Sequence, residues 1–514
     1  MATAAMGEVI GSIAMVAVGI LVVWCGWRVL DWIWLQPKKQ ERFLKKQGFN
    51  ITPYKIPFGD MFEIGKMHME AESKPIKPTH EIVDRVAPWN NHIIQTYGKK
   101  SVYWLGNCPM VHIMDPSLAN AILSDKSGTI RKPELDPVSK MIAFGIFNYE
   151  GEKWAMHRRI MNPAFHLEKL KFMSSAITTS LKDLVNKWEK VVPSQGYCEV
   201  NVWPYIDALS ADVISRTLFG SSYEEGKRIF QIQHEQAELV TVLLRSIYIP
   251  GFRFLPTKIN RKMKETYGEV RTLLRDLINS KVKALQAGEG NKDLLSLLLE
   301  SFYQDQGKIT IDEIIEHCKV FYFAGQETIA VLLTWTIVVL SLHPEWQVRA
   351  REEVFQVFGN KTPHWDGLDQ LKLIPMILLE VLRLYPPAAV LFRYTSKDFK
   401  HGDITLPAGV QLVLPAILLH HSHEHWGKDA DEFNPERFSE GVAKATNNQL
   451  IFFPFGWGPR VCIGQQFAMI EARMGLSTIL QLFSFELSPS YTHTPANIIA
   501  LRPTQGVHLK LRKV

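Results

Sequence analysis

The sequence predicts a mainly α protein with a small β-region, preceded by one N-terminal transmembrane helix. Three observations support this prediction: a long apolar run near the N-terminus, two alternating segments around residue 106, and apolar residues at helical spacing from about residue 116 onward. The 514 residues are 46% hydrophobic and 21% charged, which is a typical globular composition. The chain is therefore long enough to bury a large core.

Residues 9–27 form a run of uncharged, mostly apolar residues that is long enough to cross a bilayer core of about 30 Å. A cleaved signal peptide is the alternative, but the run is too long and no small-residue cleavage site follows it. Only Glu8 is charged before the run, whereas a basic cluster follows: Lys38, Lys39, Arg42, Lys45 and Lys46. This asymmetry predicts a cytosolic domain, with an aromatic belt at the interface made of Trp24, Trp27, Trp32 and Trp34.

We expect residues 1–37 to form the membrane anchor, residues 38–60 a basic, proline-containing hinge, and residues 61–514 one large domain. The net charge of +6 is mild for this length, and much of it lies beside the membrane run, which argues against nucleic-acid binding. The five cysteines are odd in number and lack CxxC spacing. They argue against a disulfide framework and a zinc site, and they indicate a reducing compartment.

Two segments, 101–105 and 110–114, alternate as a β-hairpin around Gly106 and Asn107. The helical pattern that follows predicts segments at 154–159, 167–192, 205–218, 223–243, 258–287 and 293–302. The longest predicted helix runs from residue 311 to about 342, begins after Thr310 and is followed by His343 and Pro344. At about 1.5 Å per residue such a helix would cross a whole domain.

Cys462 lies in a short loop punctuated by glycines. Gly458 and Gly464 allow close backbone approaches, and Arg460 adds a fixed positive charge. The residues after Gly464 are apolar at helical spacing, so Cys462 precedes a helix N-terminus, which favours an anionic sulfur. The pattern indicates a thiolate metal ligand, with a buried structural cysteine as the alternative.

Residues 455–464 resemble the signature of the cytochrome P450 superfamily, Phe-x-x-Gly-x-Arg-x-Cys-x-Gly, at every fixed position. The resemblance implies the mainly α cytochrome P450 fold and a haem b cofactor whose iron has Cys462 as its axial ligand. It also implies that O2 is a co-substrate and that electrons come from NADPH through NADPH-cytochrome P450 reductase.

Residues 321–328 and 453–460 are similar to the plant microsomal family that includes secologanin synthase. This likeness implies hydroxylation of a small hydrophobic, isoprenoid-like substrate of the terpenoid, iridoid, triterpenoid or gibberellin class. It also implies a single-pass protein of the endoplasmic reticulum membrane with a cytosolic catalytic domain. The alternatives are a haem-thiolate isomerase or dehydratase, a fatty-acid or xenobiotic hydroxylase, and a non-catalytic haem-binding scaffold.

The string Phe-Ala-Gly-Gln-Glu-Thr at residues 323–328 interrupts the apolar long helix. Gly325 costs about 1 kcal/mol there relative to alanine. The string resembles the superfamily's I-helix motif, which implies a local opening of the helix that admits O2 and water. Glu327 and Thr328 would then be catalytic residues that relay protons. The alternative is a threonine hydroxyl that bonds to the preceding helix carbonyl.

Glu380 and Arg383 are three residues apart on one predicted helix face, where they can pair. The exposed surface pair is the common alternative and stabilises little. With Arg437 in the segment 433–438, the pair resembles the superfamily's buried Glu-Arg-Arg triad. The resemblance implies a structural role in holding the haem-binding loop.

Trp154 and Arg158 lie one helical turn apart and resemble the superfamily's Trp-x-x-x-Arg motif. With Arg393 and Arg460 they are expected to bind the haem propionates, because two carboxylates entering a low-dielectric site need such partners. By position in the implied fold, eight apolar residues are candidates for the substrate pocket, although core packing explains them equally well: Phe144, Phe147, Phe323, Ala324, Ala388, Val390, Leu391 and Ile498.

The histidine-rich residues 420–425 look like a metal cluster, but we expect a solvated, non-ligating face because zinc sites need a closed set of ligands. The sequons at Asn50 and Asn360 should be empty, because a cytosolic domain does not meet the glycosylation machinery.

Overall fold

A computed structural model of the protein describes residues 2–135, 139–142, 144–221, 223–244, 255–288, 293–304 and 309–514. Short 3₁₀ and π-helical turns join some of the helices. The helices are α1 (Ala2–Leu30), α2 (Gln36–Lys46), α3 (Met61–Glu72), α4 (Val83–Val86), α5 (Pro88–Tyr97), α6 (Pro116–Leu123), α7 (Gly151–Met161), α8 (Leu167–Val191), α9 (Trp203–Ile214), α10 (Tyr223–Leu244), α11 (Lys258–Gln286), α12 (Leu294–Gln304), α13 (Ile311–Leu342), α14 (Pro344–Phe358), α15 (Leu373–Leu384), α16 (Ala416–His420), α17 (His423–Trp426), α18 (Val442–Ala445) and α19 (Gln465–Leu482).

The strands form a larger sheet and smaller ones beside the helices. They are β1 (Asn50–Ile51), β2 (Ser101–Leu105), β3 (Cys108–His112), β4 (Ile130–Arg131), β5 (Cys198–Asn201), β6 (Leu391–Thr395), β7 (Phe399–His401), β8 (Ile404–Leu406), β9 (Gln411–Leu414), β10 (Phe483–Leu487), β11 (Pro495–Ile498), β12 (Ala500–Pro503) and β13 (His508–Lys513). The six-stranded sheet has the order β1-β2-β3-β9-β6-β4, the three-stranded sheet the order β10-β13-β5, and β11–β12 and β7–β8 form two-stranded sheets.

The expected hairpin is present, but its second strand starts two residues earlier than the pattern indicated. Leu105 pairs directly with Cys108, so Gly106 and Asn107 alone form the turn. Gly106 has φ +60°, which fits the tight two-residue connection. The loop length therefore sets the register of β3.

Two helices among the described residues are long and apolar enough to cross a membrane. The first is the helical stretch Ile13–Lys46, whose most apolar part is entirely unburied. The second is α13, but 78% of its apolar window is buried. A helix covered by protein on most of its surface is a core helix, so only the N-terminal stretch is a candidate membrane anchor.

The segment 38–60 is helical up to Lys46. Helix α2 continues α1 through a π-helical turn, and it packs against the domain with Leu44 fully buried. Tyr54 donates its hydroxyl to the carbonyl of Ile33 at 2.8 Å, and Asn107 donates its side-chain amide to that of Trp32 at 3.0 Å. The end of the candidate anchor is therefore hydrogen-bonded to the residues that follow it.

Helix α13 forms the centre of the core and packs against α9, α15, α19 and β10. Thr310 caps its N-terminus by accepting from the N–H of Glu313, whose carboxylate accepts from the N–H of Thr310 in return. This capping box satisfies two N–H groups that the helix leaves unpaired. The predicted start and end of the longest helix are both confirmed.

Candidate functional site

One face of α13 carries small, incompletely buried side chains in the middle of the core. Residues 314–322 and 329–340 are buried, whereas Ala324 is exposed and Phe323 and Thr328 are half-buried. Ala324 and Thr328 are four residues apart, so they lie on the same side of the helix. We call this side the Ala324 face.

Phe165 lies between the Cys462 loop and α13. The N–H of Cys462 donates to the carbonyl of Phe455 at 2.9 Å. Gly458 turns the loop at φ +70°, and a Cβ there would lie 2.2 Å from the carbonyl oxygen at the end of α6. A Cβ on the glycine before α19 would lie 4.0 Å from both the Cys462 Sγ and Phe165. Phe165 stacks on Phe321 of α13 with ring centroids 5.8 Å apart, which connects the loop to the long helix.

The surroundings of Cys462 favour an anionic sulfur in one respect and disfavour it in another. The Cys462 side chain is exposed, as a ligand must be, but the protein around it excludes enough water to raise the pKa of the thiol. The N–H of Gly464 and the charges of Arg158 and Lys132 oppose this rise. A metal cation bound to the sulfur would stabilise the thiolate far more than these groups do, and a metal-bound thiol loses its proton. The loop therefore supplies the donors that a thiolate ligand needs.

Arg460 is held between an acid and an aromatic ring. Its Nη2 lies 2.7 Å from the carboxylate of Glu150, and its guanidinium lies 4.2 Å from the ring centroid of Trp154. Its Nη1 is buried and has no hydrogen-bond partner among the described residues. That nitrogen can bind an anion that none of the described residues provides.

Three further cations lie around the loop. Arg158 donates to the Val461 carbonyl at 3.0 Å, and buried Arg393 donates to the carbonyl of Phe392 at 2.8 Å. Burial, with Arg393 and Arg460 nearby, lowers the pKa of Lys132 to about 7. Burial and Arg460 likewise lower the pKa of Arg393 to about 10. The cations depress one another because they are close together and incompletely neutralised.

This charge balance tests whether the residues fit a haem. Among the described residues, Glu150 is the carboxylate that acts on Lys132, Arg393 and Arg460, while Arg158 and Lys132 act on the Cys462 sulfur. Two propionates would neutralise the cations, and a buried anion of that kind is stable only with such partners. The donor set therefore fits an iron porphyrin with Cys462 as the sulfur ligand. The sequence motifs led to Trp154, Arg158, Arg393 and Arg460 but missed Lys132 and Glu150, for which they carry no signal.

Glu327 is buried at 3% exposure and pairs through both carboxylate oxygens with Arg502 of β12. Arg502 also contacts His234 of α10 at 2.7 Å, and Gln326 donates to Asp207 of α9 at 2.8 Å. Burial, together with the nearby charge of Glu327, raises the pKa of Asp207 to about 7. The sequence patterns gave no sign of this network, which gives the buried Glu327 a fixed ionic partner.

The structure corrects one expectation about α13. The helix is continuous from Ile311 to Leu342, so the expected local opening is absent from this fully described stretch. A Cβ on Gly325 would lie 2.4 Å from the Cδ1 of Ile214, so the glycine allows α9 to approach closely. The hydroxyl of Thr328 donates to the carbonyl of Ala324 at 2.8 Å, as in the alternative stated above.

The structure brings Glu380, Arg383 and Arg437 together in the core. Arg383 is fully buried and donates to both carboxylate oxygens of Glu380 at 2.8 and 2.7 Å. It also donates to the carbonyls of His420, Ala430 and Glu432. Arg437 lies 3.4 Å from Glu380. These contacts hold the end of α15 against the segments before the Cys462 loop.

The comparisons with known proteins agree with this geometry. The sequence model described as "Cytochrome P450" matches residues 86–511. A cytochrome P450 of Panax ginseng, CYP72A219, is 52% identical over 504 residues, which cover 96% of this chain and 97% of the relative. Secologanin synthase 1 of Catharanthus roseus is 47% identical over 513 residues, which cover 98% of each chain. The chain belongs to the cytochrome P450 family.

The solved structure of retinoic acid bound cyanobacterial CYP120A1 has the same fold, with a TM-score of 0.71 at 22% identity over 84% of this chain and 96% of that chain. The sequence-based predictions of the cytochrome P450 family and fold are therefore confirmed. The family is one of monooxygenase enzymes, and membership implies a haem-iron cofactor.

The candidate pocket residues lie on four parts of this cytochrome P450. Phe144 is half-buried and Phe147 is exposed in the segment before α7, while Phe323 and Ala324 lie on α13. The remainder are half-buried and lie after α15 and in the β11–β12 hairpin: Ala388, Val390, Leu391 and Ile498. The N–H of Leu501 donates to the Pro387 carbonyl at 3.1 Å, which ties that hairpin to the segment after α15.

The histidine-rich segment is mostly structural. His420 accepts from the N–H of Phe453 at 3.2 Å, and His421 bonds to the Leu384 carbonyl and to Asp431, each at 2.9 Å. Both are buried, so the expectation of a wholly solvated face is wrong for them, whereas His423 is exposed. No group of three or more candidate metal ligands occurs in the part of the chain that the structure describes.

Proposed function

We propose that the protein is a membrane-anchored haem-thiolate monooxygenase that hydroxylates a small hydrophobic, isoprenoid-like molecule. The observation that carries this proposal is the pairing of two surfaces. Cys462 and its surrounding cations form one, and the Ala324 face of α13 forms the other, with Phe165 and Phe321 connecting them. This pairing provides a sulfur ligand, anion partners and an apolar face with one hydroxyl.

The reaction inserts one oxygen atom of O2 into a C–H bond and reduces the other to water, using two electrons from NADPH and two protons. The haem, which we propose to be haem b, supplies the oxidising chemistry when bound. Cys462 would bind its iron through Sγ, and the propionates would be held by the residues named above: Lys132, Trp154, Arg158, Arg393 and Arg460.

Thr328 would hold a proton and a water molecule at its Oγ1 on the Ala324 face. The hydroxyl hydrogen is directed at the Ala324 carbonyl, which leaves the lone pairs of Oγ1 free to accept. Glu327 is tied to Arg502, so transfer of a proton from Glu327 requires that this ion pair open. Thr328 would therefore take part in the proton relay directly, whereas Glu327 would take part only after its ion pair opens.

The substrate class is supported by the relatives and by the lining of the site. Secologanin synthases are among the relatives that match nearly full-length, and the candidate lining is apolar. We further propose that electrons come from NADPH-cytochrome P450 reductase. The unburied apolar run and the basic residues after it support a single-pass location in the endoplasmic reticulum membrane, with the catalytic domain in the cytosol.

The test is turnover by the full-length protein in membranes with NADPH-cytochrome P450 reductase and NADPH. Terpenoids, iridoids, triterpenoids and gibberellins would be compared with fatty acids and xenobiotics. We expect an isoprenoid product heavier by one oxygen, formed only with NADPH and O2. Turnover without either would indicate an isomerase or dehydratase, and preference for a fatty acid or xenobiotic would overturn the substrate class.

A pair of cysteine variants provides the control for the haem ligand. Cys462→Ala should abolish turnover and the long-wavelength absorption band of the reduced carbon monoxide complex. Cys198→Ala, on half-buried β5, should keep both. A Cys462→Ala protein that keeps the band would contradict the assignment of the sulfur ligand.

A further inference from the structure

The segment 144–150 connects the candidate pocket to the cation cluster. Phe144 packs on Tyr149 with ring centroids 5.5 Å apart, and the ring of Phe147 lies 3.6 Å from the Nζ of Lys132. Glu150 accepts from the Lys132 N–H at 3.1 Å. Its other carboxylate oxygen pairs with the arginine above the Trp154 ring. A contact that fixes this segment therefore also fixes two pocket candidates, Phe144 and Phe147, and the carboxylate of Glu150 beside Lys132 and Arg460.

Two buried histidines hold the segment against the core. His317 of α13 accepts at Nδ1 from the N–H of Ile146 at 3.2 Å, and its Nε2 lies 3.0 Å from the Nδ1 of His157 on α7. Both imidazoles are fully buried. Gly145 has φ +72°, and a Cβ on it would lie 2.8 Å from the His317 Nδ1. The backbone thus approaches the His317 ring more closely than a side chain would allow.

The partners of the two rings determine their protonation. A backbone N–H can only donate, so the Nδ1 of His317 carries no proton and its Nε2 carries one. That Nε2–H donates to the Nδ1 of His157, whose own proton is therefore on Nε2, 3.8 Å from the carboxylate of Glu313. The observed arrangement accommodates two neutral imidazoles. An added proton on the His317 Nδ1 would face the Ile146 N–H, donor against donor.

The charged neighbours do not favour protonation of either neutral imidazole. Glu313 is engaged by Lys153 at 2.7 Å, so the nearest carboxylate is already neutralised. Tyr149 contacts both imidazoles through its ring. The other acids on this part of α13 are also paired: Asp312 with Arg275 at 3.2 Å, and Glu316 with Arg271 and Lys319 at 2.9 and 2.7 Å. Burial lowers the pKa of His317 to about 3 and also lowers that of His157.

We propose that His317 is a positioning residue that fixes the 144–150 segment beside the catalytic site through a hydrogen-bonded pair of neutral imidazoles. The part of this inference that concerns the pocket rests on the proposed function. When the segment detaches, the imidazoles regain solvent and their ordinary pKa of about 6.5. Acid therefore favours detachment, by up to about tenfold for each imidazole between pH 7.5 and 5.5. At neutral pH the segment stays attached.

The test is amide hydrogen exchange of the 144–150 segment in the haem-loaded, full-length protein, expressed as a protection factor so that the intrinsic pH dependence of exchange is removed. His317→Phe keeps the ring but removes both nitrogens, so protection at Ile146 should fall about tenfold at pH 7.5, as expected for one buried hydrogen bond. His317→Asn offers a carbonyl near the Nδ1 position and should restore much of the loss. His92→Phe, on the exposed side of α5, is the matched control.

The pH dependence of protection distinguishes a hydrogen-bonding role of His317 from a role in packing alone. Wild-type protection should decrease by tenfold or more from pH 7.5 to 5.5, while His317→Asn should show a smaller decrease because one titrating group is gone. Wild-type protection in His317→Phe, or equal pH dependence in all variants, would overturn the proposal.

Two iron-binding probes measure the effect on the pocket without turnover. The dissociation constant of 4-phenylimidazole should rise several-fold in His317→Phe, because its phenyl group would pack against a fixed 144–150 segment. The dissociation constant of imidazole should change by no more than about twofold, since the small ring would not reach that segment. Lost protection with unchanged 4-phenylimidazole affinity would overturn the link to the pocket. Failure of both probes to bind wild type would contradict the proposed function, and the exchange data would still decide the role of His317.

Discussion

At the scale of single residues, Glu327 and Thr328 are adjacent in sequence but have different surroundings. Glu327 is buried and paired with Arg502, whereas Thr328 lies on the Ala324 face with its hydroxyl on the helix backbone. A carboxylate in a two-point ion pair is costly to release, while the Oγ1 lone pairs of Thr328 can accept a hydrogen bond without breaking an ion pair. Thr328 is therefore the residue whose loss should affect oxygen chemistry most directly.

We expect Thr328→Ala to lower the product formed per NADPH oxidised by about tenfold or more, because one positioned proton donor typically contributes 10²–10⁴ in rate. Substrate affinity should change little, since only a hydroxyl and a methyl group are lost. Thr328→Ser keeps the hydroxyl and should retain most of the coupling. The measurement is product and hydrogen peroxide per NADPH, with the substrate dissociation constant beside it. Unchanged coupling in the alanine variant would rule out the proton-relay role.

The site residues that sequence reasoning found are those that share a local motif. Cys462 and Arg460 lie two positions apart in one loop, so their proximity is a property of the local sequence. The partner of Glu327 lies 175 residues away on β12, and Lys132 meets Arg460 only because the chain folds back. No periodicity or spacing encodes such contacts. They depend on the tertiary fold.

At the scale of elements, α13 shows both the reach and the limit of local patterns. Its first turn could be predicted because Thr310 and Glu313 form a capping box within four residues. The reason for Gly325 could not, because it depends on the approach of α9, whose Ile214 occupies the space that a Cβ would need. A glycine inside a helix indicates a close contact without identifying the neighbour.

We expect Gly325→Ala to lower the free energy of unfolding by up to about 2 kcal/mol, because overpacking outweighs the gain of about 1 kcal/mol in helix propensity. Ile214→Val removes the Cδ1 atom at 2.4 Å but keeps Cγ1 at 2.9 Å, so the double variant should recover part of the loss. Thermal or denaturant unfolding of the haem-loaded protein measures both. Gly268→Ala in α11 is the control, since nothing lies within 4 Å of its Cβ, and it should be neutral or stabilising. Additive effects of the two changes would contradict the contact.

At the scale of the whole molecule, the helical content and the fold class followed from the sequence, but the sheet order did not. The parallel pairs β1–β2 and β3–β9 join segments that are far apart in the chain, and turn signals carry no information about them. The junction with the anchor was also unforeseen. The hydrogen bonds from Tyr54 and Asn107 to the carbonyls of Ile33 and Trp32 hold the end of the apolar helix in one orientation relative to the domain.

The orientation across the membrane leads to the last prediction. The basic cluster follows the apolar run, so the positive-inside rule predicts a cytosolic domain. Protease added to sealed microsomes should therefore digest the domain, and Asn50 and Asn360 should carry no glycan. Asn360 is exposed after α14, so its sequon would be accessible to the glycosylation machinery in the lumen. Burial would not explain an empty sequon there.

A control chain makes the glycan result decisive. Replacing the anchor by a cleavable secretory signal directs the same domain into the lumen, where Asn360 should gain a glycan that a glycosidase removes. The native chain should show no such shift in mass, because its domain stays outside. A protease-protected domain together with a glycosylated Asn360 in the native chain would reverse the topology and separate the site from a cytosolic supply of NADPH electrons. A glycan-free Asn360 in both chains would show that the sequon does not report the compartment, and protease sensitivity alone would then decide the topology.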